Sequence, residues 1–374
     1  MPARDPNEPH RAATTLELFY DLVFVVAVGQ AAASLHHAIV ERHASQGLLG
    51  YALVFLAIWW AWMNWTWFAS AFDNDDVVYR ISAFVQMFGV LVLAAGVSEA
   101  FDGRYAIVVI GYVIMRLAMV AQWLRAGAAN PALRTTAVRY AVGITAVQLC
   151  WIVRLLIPAP WALTSFLIIV VLELLVPWWA ERARPTPWHP HHIAERYGLF
   201  TIIVLGEVVL AATIAVKAGA AAGAGAGTVL LVGLSGFVIV CAMWWLYNSW
   251  PAHPFLSSGR SAFAWGYGHY FIFSSIAAFG AGLGAVVDFK AGRMDEPNAT
   301  VLGASIALPV AVFLLSVWLV HIRPHHPPTA CSVSYLVAAV LVALTMFTLV
   351  PLELIALILV AAVVATEAAP PGAK

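Results

Sequence analysis

The chain has 374 residues, of which 63% are hydrophobic and 10% are charged, with a mean hydropathy of +0.88. A soluble domain carries about 25% charged residues, so this composition excludes a soluble globular protein and predicts an integral membrane protein. The 19 basic residues balance the 19 acidic residues and form no patch, which excludes a nucleic-acid partner.

Apolar stretches of about 20 residues predict membrane-spanning helices, because a helix satisfies its own backbone hydrogen bonds in lipid. Twelve such segments follow a polar N-terminal stretch, residues 1–15. Their predicted limits are 16–36, 47–70, 78–98, 104–126, 133–157, 160–180, 193–217, 228–250, 261–287, 299–321, 331–349 and 351–367. The last two are separated only by Pro351 and could instead form one kinked or re-entrant element. The predicted fold class is all-α, a polytopic helical membrane protein with about 12 transmembrane helices.

Lysine and arginine in the connections predict the orientation. With the N-terminus inside, 12 of these residues lie on the inner side and 5 lie in outer loops. The positive-inside rule therefore predicts a multi-pass protein of the inner (plasma) membrane with both termini in the cytoplasm. The Gly- and Ala-rich residues 219–227 are predicted to form a flexible outer loop.

Two parts of the chain resemble each other. Residues 20–30, YDLVFVVAVGQ, align with residues 197–207, YGLFTIIVLGE. The helix after each segment also ends alike, with Trp60 matching Trp244 and Asn64 matching Asn248. The pattern predicts two parallel six-helix repeats, a plan found in transporters, although apolar helices can also resemble each other by chance.

The repeats divide the chain into five parts. Residues 1–15 form the cytoplasmic N-terminus and residues 16–180 form the first repeat. Residues 181–192 are a cytoplasmic linker, residues 193–367 form the second repeat, and residues 368–374 are the C-terminal tail.

Three ionisable residues fall near the middle of the membrane: Arg116, Glu173 and Glu207. A charge at this depth costs a few kcal/mol, so it is usually retained for a partner or for a function. Two acids and one arginine leave one uncompensated carboxylate, which is expected to bind a proton or a cation. The alternative is that Arg116 only forms a structural ion pair while the other acid stays protonated and hydrogen-bonded.

A second polar group is predicted toward the cytoplasmic side. Glu17 and Asp21 are four residues apart, which places two like charges on one helix face. They require partners, and residues at a comparable depth are His192, Glu195, Arg196 and His269. For Glu17 the competing interpretation is an acid at the start of a helix that complements the helix dipole.

Motifs for cofactors and metals are missing from the sequence. It contains no zinc-ligand spacing, phosphate-binding loop, dinucleotide fingerprint or nucleophile elbow. Adjacent histidines such as His36 and His37 lack the i, i+4 spacing of a metal-binding helix. No cofactor and no metal site are predicted.

Two segments resemble signature segments of a known family. ELFYDLVFV at residues 17–25 and HIAERYGLFTIIVLGE at residues 192–207 are similar to the bacterial low temperature requirement protein A (LtrA) family. The resemblance covers nearly the whole chain from about Thr15 and implies a polytopic membrane protein connected by name to growth in the cold. The family pattern gives weight to Glu17, Phe19, Asp21, Phe24, His192, Glu195, Arg196, Gly206 and Glu207.

The favoured functional hypothesis is a transporter or permease-like protein. It would move a proton, an ion or a small hydrophobic solute along a path with buried carboxylates, as a possible homo-oligomer in the lipid bilayer. Two alternatives remain open: a membrane-embedded enzyme acting on a lipid or isoprenoid, and a structural component of the response to cold.

Overall fold

A computed structural model describes residues 1–6, 8–9, 11–221, 225–257, 259–294 and 298–368. Within these ranges the regular structure is entirely helical. The α-helices are α1 (Thr15–Val40), α2 (Ala44–Phe72), α3 (Val77–Ala95), α4 (Val97–Phe101), α5 (Ala106–Ala129), α6 (Arg134–Arg154), α7 (Ala162–Glu181), α8 (Pro190–Ala221), α9 (Ala226–Asn248), α10 (Gly259–Lys290), α11 (Ala299–Val317), α12 (Thr329–Leu344) and α13 (Pro351–Glu367).

The predicted fold class, a polytopic all-α membrane protein, is confirmed. In the part of the chain that the structure covers, eleven helices are long and apolar enough to cross a membrane. The twelfth predicted segment corresponds to α13, which has 17 residues. A 3₁₀ turn, Thr345–Phe347, separates it from α12, so these two segments form two helices.

Two sequence predictions fall partly beyond the described residues. Helix α8 continues to Ala221 and α9 begins at Ala226, so the predicted Gly- and Ala-rich loop is helical at both ends. Its residues 222–224 lie outside the described part of the chain. The same holds for residues 369–374 of the predicted C-terminal tail.

The chain forms two compact units. The first comprises Met1–Ala27 and Leu56–Arg196, and the second comprises Val28–Phe55 and Tyr197–Lys374. Helices α1, α2 and α8 therefore contribute residues to both units. The division into repeats at residues 16–180 and 193–367 stays a prediction.

Small residues allow close helix packing within each unit. In the first unit, a Cβ atom added to Gly111 of α5 would lie 2.4 Å from the backbone nitrogen of Leu93 in α3. In the second unit, a Cβ atom on Gly282 of α10 would lie 2.2 Å from the carbonyl oxygen of Ser305 in α11. Backbone contact of this kind supplies dispersion energy where lipid removes the hydrophobic driving force.

Asp76 organises the loop between α2 and α3 as the N-cap of α3. Its carboxylate accepts a hydrogen bond from the Tyr79 backbone N–H at 2.8 Å and one from the Asn74 amide at 2.6 Å. It also forms an ion pair with Arg125 of α5. Hydrogen bonding to the Arg125 guanidinium holds the pKa of Asp76 well below its usual range. This one side chain thus caps α3 and ties it to α5.

We expect Asp76→Ala to lower the free energy of unfolding by about 1–2 kcal/mol, because the helix cap is lost. The lowered pKa makes the contribution of Asp76 fully present above an unfolded-state pKa of about 3.9. This contribution to stability is lost as the pH falls through the lower pKa of Asp76 in the folded state. Detergent-solubilised protein unfolded at several pH values, followed by circular dichroism, measures both effects.

Asp75→Asn is the matched control. Asp75 pairs with Arg80 at an exposed position, where ion pairs contribute little, and its positive φ of 50° is tolerated by asparagine. A loss of stability as large as that of Asp76→Ala would contradict the role given to Asp76.

Candidate functional site

Four charged or titratable side chains of the first unit form a compact group, here called the Arg196 cluster: Glu17, Asp21, His192 and Arg196. The i, i+4 spacing places Glu17 and Asp21 on one face of α1, and His192 and Arg196 on one face of α8. Arg196 Nη1 lies 3.0 Å from Glu17 Oε1, and Arg196 Nη2 lies 2.5 Å from Asp21 Oδ1. All four residues have 0% of their surface exposed. The structure therefore brings together four of the predicted site residues.

Each of the two carboxylates has further polar neighbours. His192 Nε2 lies 3.1 Å from Glu17 Oε1, and the Thr14 backbone N–H donates to Glu17 at 2.7 Å. Trp62 Nε1 donates to Asp21 at 2.7 Å. The guanidinium and the other donors offset part of the cost of burying the two carboxylates, and their contacts join α1 to α8.

Arg11 supplies a second positive charge near this cluster. Its guanidinium donates to the carbonyl oxygens of Ser70 and Ala69 at 2.7 and 2.8 Å. Burial lowers the pKa of Arg11, and the nearby Glu17 carboxylate opposes that effect. Arg11 therefore adds positive charge near Glu17.

Sequence reasoning missed a polar chain next to the cluster. The Tyr20 ring stacks on Trp65 with a centroid distance of 3.7 Å, and its hydroxyl donates to Gln86 at 3.1 Å. The Gln86 amide in turn donates to Gln122 at 3.2 Å. Glutamine inside an apolar helix was an available signal, because a buried amide needs a partner.

Arg116 and Glu173 form a second closed site in the first unit. Their side chains lie 3.2 Å apart and are almost completely buried. The Tyr112 hydroxyl and Trp151 Nε1 donate to Glu173 at 2.5 and 2.9 Å. Arg116 and Glu173 thus form an ion pair, as one of the two sequence interpretations expected for Arg116.

Glu207 differs from these acids. It is half-buried, belongs to the second unit, and makes no ion pair or hydrogen bond with any side chain that the structure describes. A Cβ atom on Gly29 would lie 2.5 Å from Glu207 Oε1, so the bare backbone of Gly29 leaves space for the carboxylate. Glu207 and Gly29 line a cavity of about 370 Å³ between α1, α8 and α10.

The same cavity has polar side chains at the ends of α1 and α10. His36 Nε2 lies 2.8 Å from Asp288 Oδ2, and Arg293 Nη2 lies 2.5 Å from Asp288 Oδ1. Between the His36–Asp288 pair and Glu207, the cavity is lined by apolar side chains, including small ones such as Ala33 and Ala281. The cavity thus contains one neutralised acid, Asp288, and one acid without a cation, Glu207.

The remaining two predicted site residues lie elsewhere. Glu195 is exposed and makes no ion pair within the described chain. His269 belongs to the second unit and is fully buried, with its Nε2 atom 3.1 Å from Nε2 of His321. Sequence reasoning did not select His321, although a histidine near the end of an apolar segment was a visible signal.

Removing the cation of the Arg196 cluster should be costly. We expect Arg196→Ala to lower the free energy of unfolding by about 3–5 kcal/mol, because it leaves two buried carboxylates without their main partner. The neighbouring variant Glu195→Ala should change it by less than about 0.5 kcal/mol, since Glu195 is exposed. Unfolding in mixed detergent micelles measures both values, and equal effects would contradict the ion-pair assignment.

The closed Arg116–Glu173 pair predicts strong non-additivity. Arg116→Leu or Glu173→Leu alone should each cost about 3–5 kcal/mol, because a single buried charge remains. The double variant should be more stable than either single variant, since it removes both charges. The same unfolding measurement on the wild type, both single variants and the double variant gives a double-mutant cycle. Additive losses of stability would show that the two side chains are not coupled.

Comparison with known proteins identifies the family. The profile described as "Bacterial low temperature requirement A protein (LtrA)" matches residues 12–369. An uncharacterised protein of Rhizobium meliloti (strain 1021) is 30% identical over 217 residues, which is 55% of this chain and 52% of that protein. The chain therefore spans about half the length of this relative, and no solved structure matches it. With nearly its whole length matched, the chain belongs to the bacterial LtrA family.

Proposed function

We propose that the protein is a membrane transporter for a proton, an ion or a small solute, and that Glu207 is its central binding group. The observation that carries this proposal is a carboxylate without a cation, inside the candidate span Pro190–Ile214, on the wall of a 370 Å³ cavity. A carboxylate inside a membrane either holds a proton or takes a cation, and exchange between the two is the elementary step of transport.

Three other acids, buried within the helices, support this choice by contrast. Glu17, Asp21 and Glu173 each lie within 3.2 Å of an arginine nitrogen. Binding a proton or a transported ion at one of these carboxylates would require breaking a buried ion pair, which costs several kcal/mol. We therefore assign the Arg196 cluster and the Arg116–Glu173 pair to helix packing and assign ligand exchange to Glu207.

The cavity supplies a route to Glu207. Glu207 and Ile214 of α8 both line the cavity, so it extends about 10 Å along that helix. At the end formed by His36 and Asp288, titratable side chains could pass a proton or attract a cation. With the orientation that the positive-inside rule predicts, both termini in the cytoplasm of a bacterial inner membrane, this end would face outside.

Glu207→Gln should reduce proton flux into liposomes by at least about tenfold, because an amide cannot take up and release the proton. The assay drives flux with a potassium diffusion potential and follows an internal pH dye. Gly29→Val, which places side-chain atoms where the carboxylate lies, should also lower the flux. Parallel assays with sodium or potassium as the moving ion distinguish a proton from a metal cation.

Glu99→Gln is the matched control. Glu99 is a partly exposed acid that pairs with Arg104, and its variant should move protons at the wild-type rate. Wild-type flux that persists in Glu207→Gln would overturn the role given to Glu207. No movement of protons, sodium or potassium by the wild type would exclude these three as the transported species.

A further inference from the structure

The cavity beside Glu207 is larger than a proton or a single metal ion requires. Its volume of about 370 Å³ falls within the range of about 300–1,000 Å³ that is typical of pockets for small organic molecules. Eight of its fifteen described lining residues are Gly or Ala, so small residues on three helices leave this space open. The cavity therefore has room for an organic molecule next to the carboxylate.

The polar side chains of the cavity lie in two places. His36, Asp288 and Arg293 form one closed group, in which the other two side chains lie 2.8 and 2.5 Å from the Asp288 carboxylate. Glu207 is the second place, and all the other described lining residues are apolar. A hard metal cation takes about six or more oxygen ligands, whereas the Glu207 side chain supplies two. A single carboxylate in an apolar wall instead matches a molecule with one positive charge and an apolar body.

The two oxygens of Glu207 have different surroundings. A Cβ atom on Gly29 would lie 2.5 Å from Oε1 but 3.6 Å from Oε2. Oε1 is therefore held against the backbone of α1, while Oε2 lies farther from it. Because Glu207 has no hydrogen-bond partner among the described residues, it can accept a charge-assisted hydrogen bond from a bound ammonium group.

One side of the cavity adjoins lipid. Leu210 and Ile214 line the cavity, lie in the candidate span Pro190–Ile214, and have 53% and 59% of their surface exposed. Apolar side chains that are exposed within a membrane span contact lipid tails. A molecule with an apolar body partitions into the bilayer and could reach Glu207 from this side.

We propose that the transported solute is a hydrophobic organic amine in its ammonium form, which binds Glu207 in exchange for a proton. Because it names the substrate class of the same site, this inference rests on the proposed function. The protonated carboxyl group of Glu207 releases its proton, and the resulting carboxylate pairs with the ammonium N–H groups, so one positive charge replaces another. The apolar body of the amine packs against the apolar walls, where burial of its surface favours binding.

Three molecules that share one apolar body test this substrate class: 1-aminoadamantane, 1-adamantanol and 1-adamantanecarboxylate. Equilibrium dialysis measures their binding to the full chain in lipid nanodiscs, and empty nanodiscs correct for partition into lipid. The wild type should bind the amine at least about tenfold more tightly than the alcohol and the carboxylate, because only the ammonium group pairs with Glu207. Glu207→Gln should abolish this preference. Binding of the amine should weaken as the pH is lowered, since protons compete for the same carboxylate.

Ala211→Leu separates the substrate class from the proposed function. Ala211 lines the cavity one helical turn after Glu207, on the same face of α8. A leucine there occupies space needed by the amine but leaves the carboxylate in place. The variant should bind the amine at least about fivefold more weakly, because the site is overpacked, while its proton flux stays at the wild-type rate.

Glu353→Gln is the matched control. Glu353 is an acid of the second unit that pairs with Lys290 and is not among the described lining residues. Its variant should bind the amine like the wild type. Circular dichroism verifies that each variant is folded, and Ala33→Leu, at an exposed position of the α1 wall, replaces Ala211→Leu if that variant is not.

Equal binding of the three molecules, no binding of the amine by the wild type, or unchanged preference for the amine in Glu207→Gln would overturn the inference. Amine binding that does not depend on pH would contradict exchange with a proton. Proton flux that depends on Glu207 without any amine binding would reject the amine and leave the proposed function intact. Amine binding that depends on Glu207, without flux of protons or of the amine, would instead reject transport.

Discussion

The structure depends on the neutralisation of charge inside an apolar bundle. An ionised side chain in hydrocarbon is tolerated when a partner of opposite charge and several hydrogen-bond donors reach it. Arg196 meets this requirement for Glu17 and Asp21, and Arg116 meets it for Glu173. Each of these contacts joins two different helices, α1 with α8 and α5 with α7, so neutralising the charge also links helices by their side chains.

The second unit accommodates its buried polar groups differently. Glu207 has no arginine partner among the described residues, and its neighbours on α1, α8 and α10 are small enough to leave a cavity beside it. His269 and His321 are instead buried as neutral rings against aromatic side chains. Glu17, Asp21 and Glu173 of the first unit thus lie in ion pairs, whereas Glu207 of the second unit has none among the described residues.

The candidate site was only partly predictable. The i, i+4 spacing correctly indicated that Glu17 shares a helix face with Asp21, because helical periodicity is a local property. The contact between Asp21 and Arg196 joins residues that are 175 positions apart in the sequence, so it follows from tertiary packing. The sequence also placed Glu195 and His269 with this group, but Glu195 is exposed and His269 pairs with His321 of its own unit.

The amino-acid sequence by itself determined the family, the all-helical class and the approximate limits of the spans. Hydropathy over about 20 residues is sufficient for that, because lipid requires every spanning segment to satisfy its own backbone. Only the tertiary structure decided which acids pair with an arginine and where small residues leave a cavity. It also decided that a π turn brings His321 to His269. Those outcomes depend on distances between residues far apart in the chain, which no local pattern encodes.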